Sequence, residues 1–164
     1  MHAAAIPADG IDCLDVKRKG GLISKIYVIN PYEFNAFSTV CDMETEYGGW
    51  TVFLKSSQAN NITRLKWNEY VFGYGRLDGD FWLGLEKIHW LTERRTNTIL
   101  RIEISDNDEM DYYEYKDFNI DGAAQNYQPH ISLTEEDKRC LLETKNEIPS
   151  EEDLIPKHLS LIHI

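Results

Sequence analysis

The chain has 164 residues, 42% hydrophobic and 12% aromatic, which supports one globular core and is too short for two independent ones. A formal net charge of −11 and a pI near 4.8 exclude the clustered Lys and Arg surface through which nucleic acids and anionic membranes are bound. No apolar run reaches the roughly 18 to 20 residues that span a bilayer, and MHAAAIPADG shows no secretory signal, so a soluble chain is expected.

After an irregular start over residues 1–11, Lys25 to Ile29 and Phe37 to Cys41 are β-branched and aromatic runs. Separated by a loop with Pro31 and Asn35, they predict two antiparallel strands. Trp50 to Leu54 predicts a third, with Trp50, Val52 and Leu54 on one face and Gly48-Gly49 supplying a tight turn before it. Trp67, Tyr70, Val71 and Tyr74 fall at i, i+3, i+4 and i+7, one face of a two-turn helix that Gly75 would stop. Trp82, Leu85, Ile88 and Leu91 recur at threes and predict a second short helix. Leu100, Ile102 and Ile104 alternate with Arg101, Glu103 and Ser105, the pattern of a half-buried strand with its charges outward. Its partner is expected at Met110 to Tyr115, across a turn of Asp106, Asn107 and Asp108. Beyond Ser132 the composition turns acidic and helix-favouring. Thr134 with Asp137 predicts a helix from about Glu135 to Asn146, and a second start at Ser150 with Asp153 is stopped by Pro156.

Chemistry-bearing motifs are sparse. GYGRLDG (Gly73 to Gly79) has its third glycine one position late for a dinucleotide loop and follows a helix where a strand is required. DNDEMD (Asp106 to Asp111) lacks the glycine and closing Glu of a calcium loop and reads as a solvated hairpin turn. The histidines, His2, His89, His130, His158 and His163, show no metal-binding spacing, and no Gly-x-Ser-x-Gly elbow is present. No catalytic, metal or ligand-binding residue is therefore assigned, and the chain is not expected to be an enzyme. Cys13, Cys41 and Cys140 admit three single bridges and leave one thiol over. Asn61-Ile62-Thr63 is an N-glycosylation sequon, meaningful only in the secretory pathway.

Taken in order, Asp12 to Val16 (DCLDV), KIYVI, VCDMETEYGGWTVF (Val40 to Phe53), WNEYVFGYGRLDGDFWLGLEKIHWLT (Trp67 to Thr92), LRIEI and NYQPHIS (Asn126 to Ser132) resemble the fibrinogen C-terminal domain. That domain occurs in fibrinogen chains, ficolins, tenascins, angiopoietins and invertebrate lectins. The resemblance implies an α+β fold, mostly antiparallel sheet with two short helices, over residues 12–132. It implies a Cys13–Cys41 disulfide, which closes a 28-residue separation and points to an oxidising, extracellular location. It makes Trp50, Trp67, Phe81 and Trp82 core residues and places His89 on the second helix's packing surface. In the family the calcium site, a second disulfide and the ligand pocket lie further along the domain, so no cofactor is expected in this chain.

The intact parent is then expected to be a secreted, oligomeric recognition protein. It would be either a lectin-like reader of glycan or acetylated ligands, or a matrix or receptor-signalling module of tenascin or angiopoietin type that binds a protein. Residues 133–164 depart from the family pattern, and retained intron or an unusual splice form both account for Leu133 to His158. The final LSLIHI (Leu159 to Ile164) resembles translated adapter sequence, which makes an artefactual tail the expectation there. Cys140 is expected to be unpaired. The central sheet is expected to lack strands, with an open edge and exposed apolar surface.

Overall fold

A computed structural model describes residues 8–32, 35–57, 65–93, 95–106, 109–134 and 159–163. The first described helix is α1 (Cys13–Arg18), where no regular element is predicted. Its formation is local: the Asp12 side chain caps it by accepting from the Asp15 N–H at 2.7 Å, and Cys13 and Val16 form a buried stripe. The Lys19 ammonium, 2.9 Å from Asp15, and the Ile11 N–H hold the Asp15 carboxyl below the usual carboxylate range.

Strands β1 (Lys25–Ile29), β2 (Phe37–Asp42) and β3 (Trp50–Lys55) form an antiparallel meander, within a residue of the predicted bounds. Because β3 is covered on both faces, Thr51, Val52, Phe53 and Leu54 are all buried, where alternation predicts a single buried face. The turn into β3 requires glycine. Gly48 has φ 63°, and a Cβ there would lie 2.2 Å from the Met43 carbonyl oxygen.

Helix α2 (Trp67–Phe72) ends at Gly73, two residues before the predicted stop, because Tyr74 and Gly75 form the short strand β4 against β5 (Phe81–Trp82). Trp82 thus belongs to a strand, and helix α3 (Leu85–Thr92) starts after it. Of the predicted α2 face only Val71 is buried. Trp67 is 57% exposed and Tyr74 47%, so Trp67 is not a core residue: α2 is too short to press both its ends onto the core. Phe81 is buried as expected, and Trp50 and Trp82 are partly so.

Strands β6 (Ile99–Asp106) and β7 (Glu109–Ile120) form a longer hairpin than predicted, and β8 (Pro129–Ser132) extends it after a 3-10 turn at Ala123–Gln125. The burial of β6 reverses the predicted polarity: Arg101 is 6% exposed and Glu103 7%, while Ile102 and Ile104 are only half-buried. The sheet runs β1-β2-β3-β9-β6-β7-β8, with β5 continuing along β3 and β4 beyond it. Strand β9 (Leu159–His163) pairs antiparallel with β3 and β6. The expected open edge in the central sheet is therefore not found between β3 and β6, since a strand from the tail satisfies the backbone groups that face each other there. Exposed apolar side chains instead gather at α2 and β4 (Trp67, Phe72, Tyr74) and on β7 (Met110, Tyr112, Tyr113). The predicted helix from Glu135, Asn61 and Cys140 lie outside the described residues.

The core packs α1 and α3 against the sheet around Ile29, Val52, Phe81 and Ile88, each at most 2% exposed. At its centre Cys13 and Cys41, both 0% exposed, are joined with their Cα atoms 5.4 Å apart. Closing this loop reduces unfolded-chain entropy by an amount equivalent to about 3 to 4 kcal/mol. The paired Cys13→Ser/Cys41→Ser variant should lose about that much in urea unfolding. Non-reducing peptide mass mapping of the unaltered chain should recover the two cysteines in one linked species.

Candidate functional site

Two adjoining cavities lie where α1 meets the segment after α3. One, about 250 Å³, is walled by Leu14, Trp50, Leu91 and Ile99. The other, about 580 Å³, is bounded by Ile11, Asn30, Pro31 and Trp90. An Asp12–Arg95 ion pair belongs to the walls of both. Asp12 is held there by capping α1, so a single side chain terminates the helix and neutralises Arg95. An apolar concavity edged by one charge of each sign suits an amphipathic ligand and offers no nucleophile or paired acid and base. Among the described residues no group of three or more His, Cys, Asp or Glu side chains is arranged to hold a metal ion, so none is assigned to calcium.

The strongest electrostatic feature is a hub around Arg101. Its Nε donates to Glu103 Oε1 and its Nη1 to Glu46 Oε1 and Glu114 Oε1, all at 2.8 Å. The guanidinium lies 3.9 Å from the Tyr112 ring centroid and 5.9 Å from that of Trp50. Glu114 is the direct cross-strand partner of Arg101 and Glu103 is two residues along on the same face, so the hairpin register alone assembles three of these groups. Glu46 arrives from the turn before β3 with φ 49°. Despite burial, the three carboxylates hold the Arg101 guanidinium above its ordinary range. The hub anchors the turn after β2 to the β6–β7 hairpin. Sequence reasoning assigned Arg101 to solvent, because alternation cannot report a loop returning over that face.

A second polar contact ties α3 to the loop before β8. Tyr127, 7% exposed, donates its hydroxyl to Glu86 Oε2, and burial followed by this bond pushes the phenol up to about 12. His89 engages the Ile120 carbonyl through Nδ1 at 2.9 Å, on the packing surface the resemblance implied. Of the two residue sets singled out in the sequence, Cys13 and Cys41 are brought together as the resemblance implies, while Asn61 is outside the described residues.

The architecture is that of a disulfide-stapled α+β domain built on an antiparallel sheet. Residues 9–154 match the family described as fibrinogen beta and gamma chains, C-terminal globular domain, and the chain belongs to that family. The matched region runs past Ser132. Human angiopoietin-related protein 3 is 33% identical over 151 residues, covering 90% of this chain and 31% of that protein. Mouse microfibril-associated glycoprotein 4 is 37% identical over 116 residues, covering 70% and 45%. The chain thus spans less than half the length of either relative. A lamprey fibrin D-dimer, solved with the peptide ligand Gly-His-Arg-Pro-amide, superposes with a TM-score of 0.68 at 34% identity, covering 76% of this chain and 40% of that one.

Arg101→Ala should cost about 3 to 5 kcal/mol in chemical denaturation, because it strands buried Glu103 without its cation. Glu46→Gln, at a side chain 41% exposed, should cost less than about 1 kcal/mol. Tyr127 gives a pH signature. A phenol whose pKa is raised on folding contributes stability that is fully present below the unfolded value near 10 and is lost as pH rises through about 12. Urea midpoints should therefore fall across that window, and Tyr127→Phe should flatten the fall.

Proposed function

We propose that this chain forms the disulfide-stapled scaffold of an extracellular, non-catalytic recognition domain whose ligand is a protein or peptide. The observation that carries this reading is the likeness to the lamprey fibrin module, whose solved partner is a short peptide. The relation to angiopoietin-related protein 3 and to a microfibril-associated glycoprotein supports a setting outside the cell. The buried Cys13–Cys41 bridge agrees with it, since such bonds persist in oxidising compartments. The acidic surface favours partners that are not polyanions.

Binding of the full-length parent protein to an array of extracellular-matrix peptides, alongside an acetylated-sugar resin, tests this reading. Peptide binding that survives free N-acetyl sugars and a chelator is the expected result. Retention on the sugar resin alone, released by the chelator, would replace it with the lectin-like reading.

A further inference from the structure

Two buried side-chain oxygens in the walls of the cavities beside α1 have no hydrogen-bond partner among the described residues. Thr98 Oγ1 belongs to a residue of the smaller cavity and Asn30 Oδ1 to one of the larger. A buried oxygen left without a partner is destabilising, so each marks a place where a bound group can add a bond that the fold does not supply. The Asp12–Arg95 pair joins the two cavities, since both of its members belong to both walls. Among the described residues the one ion pair of Arg95 is with Asp12, and a guanidinium carries five N–H donors, so part of its fork is open to a ligand. We propose that the two cavities together form the binding site for an extended peptide segment, with its backbone across the Asp12–Arg95 pair and one apolar side chain in each cavity.

The assignment rests on the reading of this domain as one that binds a peptide, and names where the peptide is held. A peptide group offers one N–H and one C=O, and the wall offers the complement of each. Its carbonyl accepts from Arg95, its N–H donates to Asp12 or to Asn30 Oδ1, and the Thr98 hydroxyl is left for the next group along. The ion pair has no net charge, so a neutral peptide group meets it without leaving a charge unpaired, whereas a carboxylate or ammonium ligand competes with one of its members. In an extended segment residues i and i+2 point to the same side about 7 Å apart. Two adjoining apolar cavities suit two such side chains, one against Leu14, Trp50 and Ile99 and the other against Pro31 and Trp90, with the residue between them turned to solvent.

The tryptophans make a site-specific test, because Trp50 lines the smaller cavity and Trp90 the larger, while Trp67 and Trp82 belong to neither. The full chain, isotope-labelled at its indole N–H groups, is titrated with N-acetyl-Leu-Ala-Leu-amide and followed by NMR. The Trp50 and Trp90 signals should move together and saturably while the other two stay in place. N-acetyl-Ser-Ala-Ser-amide, which keeps the backbone and removes the apolar side chains, should bind at least about tenfold more weakly. Thr98→Val replaces the unpaired hydroxyl with a methyl of similar shape, so it should weaken peptide binding about fivefold and at the same time raise the urea midpoint. A residue needed only for folding would lower that midpoint. Equal affinity for the two peptides, unmoved Trp50 and Trp90 signals, or the same shifts produced by N-acetylglucosamine would overturn the assignment. If the parent captures peptides while Trp50 and Trp90 stay still, the site is wrong and the peptide reading stands; a parent that captures none overturns both.

Discussion

The bridge between Cys13 and Cys41 is the constraint on which the rest of the domain depends. It joins the first turn of α1 to the end of β2, and neither cysteine has any exposed surface. Among the described residues the start of the chain is further tied to the sheet by the backbone bonds from Asp9 to Val28 and from Asn30 to Gly10, by the Val28 N–H to Asp9 carboxylate bond and by the Cys13 N–H to Thr51 hydroxyl bond. A helix of six residues does not persist by propensity alone. Fixed by its first residue to the sheet, α1 can bury Val16 and present Asp12 to Arg95.

Away from the bridge, cohesion comes from a buried charge. Burying a guanidinium costs several kcal/mol unless its donors are met, and here three carboxylates and two aromatic rings meet them. Glu46 and Trp50 belong to the turn and strand that follow β2, whereas Glu103, Tyr112 and Glu114 belong to the hairpin, so the hub couples the two halves of the sheet through side chains. Strand β9 couples the same halves through backbone. With the disulfide, these are three different physical kinds of linkage in one small sheet.

Membership of the fibrinogen C-terminal family gives this scaffold its functional setting, while its ligand rests on likeness to other proteins. The cavities beside Asp12 and Arg95 are open and amphipathic, with apolar walls and one charge of each sign at their edge. They lie against the helix whose first residue is covalently joined to the sheet.

The first three strands were legible in the sequence because their apolar runs are bounded by Pro31, Asn35 and Gly48-Gly49, and turn chemistry is local. The Cys13–Cys41 pairing was reachable through the family resemblance, although the count of three cysteines left it open. Helix α1 was missed because its signal is a single Asp cap followed by only two buried residues, too short for periodicity to register. The exposed Trp67, the inward-facing Arg101 and the placement of Leu159–His163 in the middle of the sheet could not be read from the chain. Each depends on which distant segment arrives on a given face, and alternation along a strand or helix records two faces without saying what covers either one.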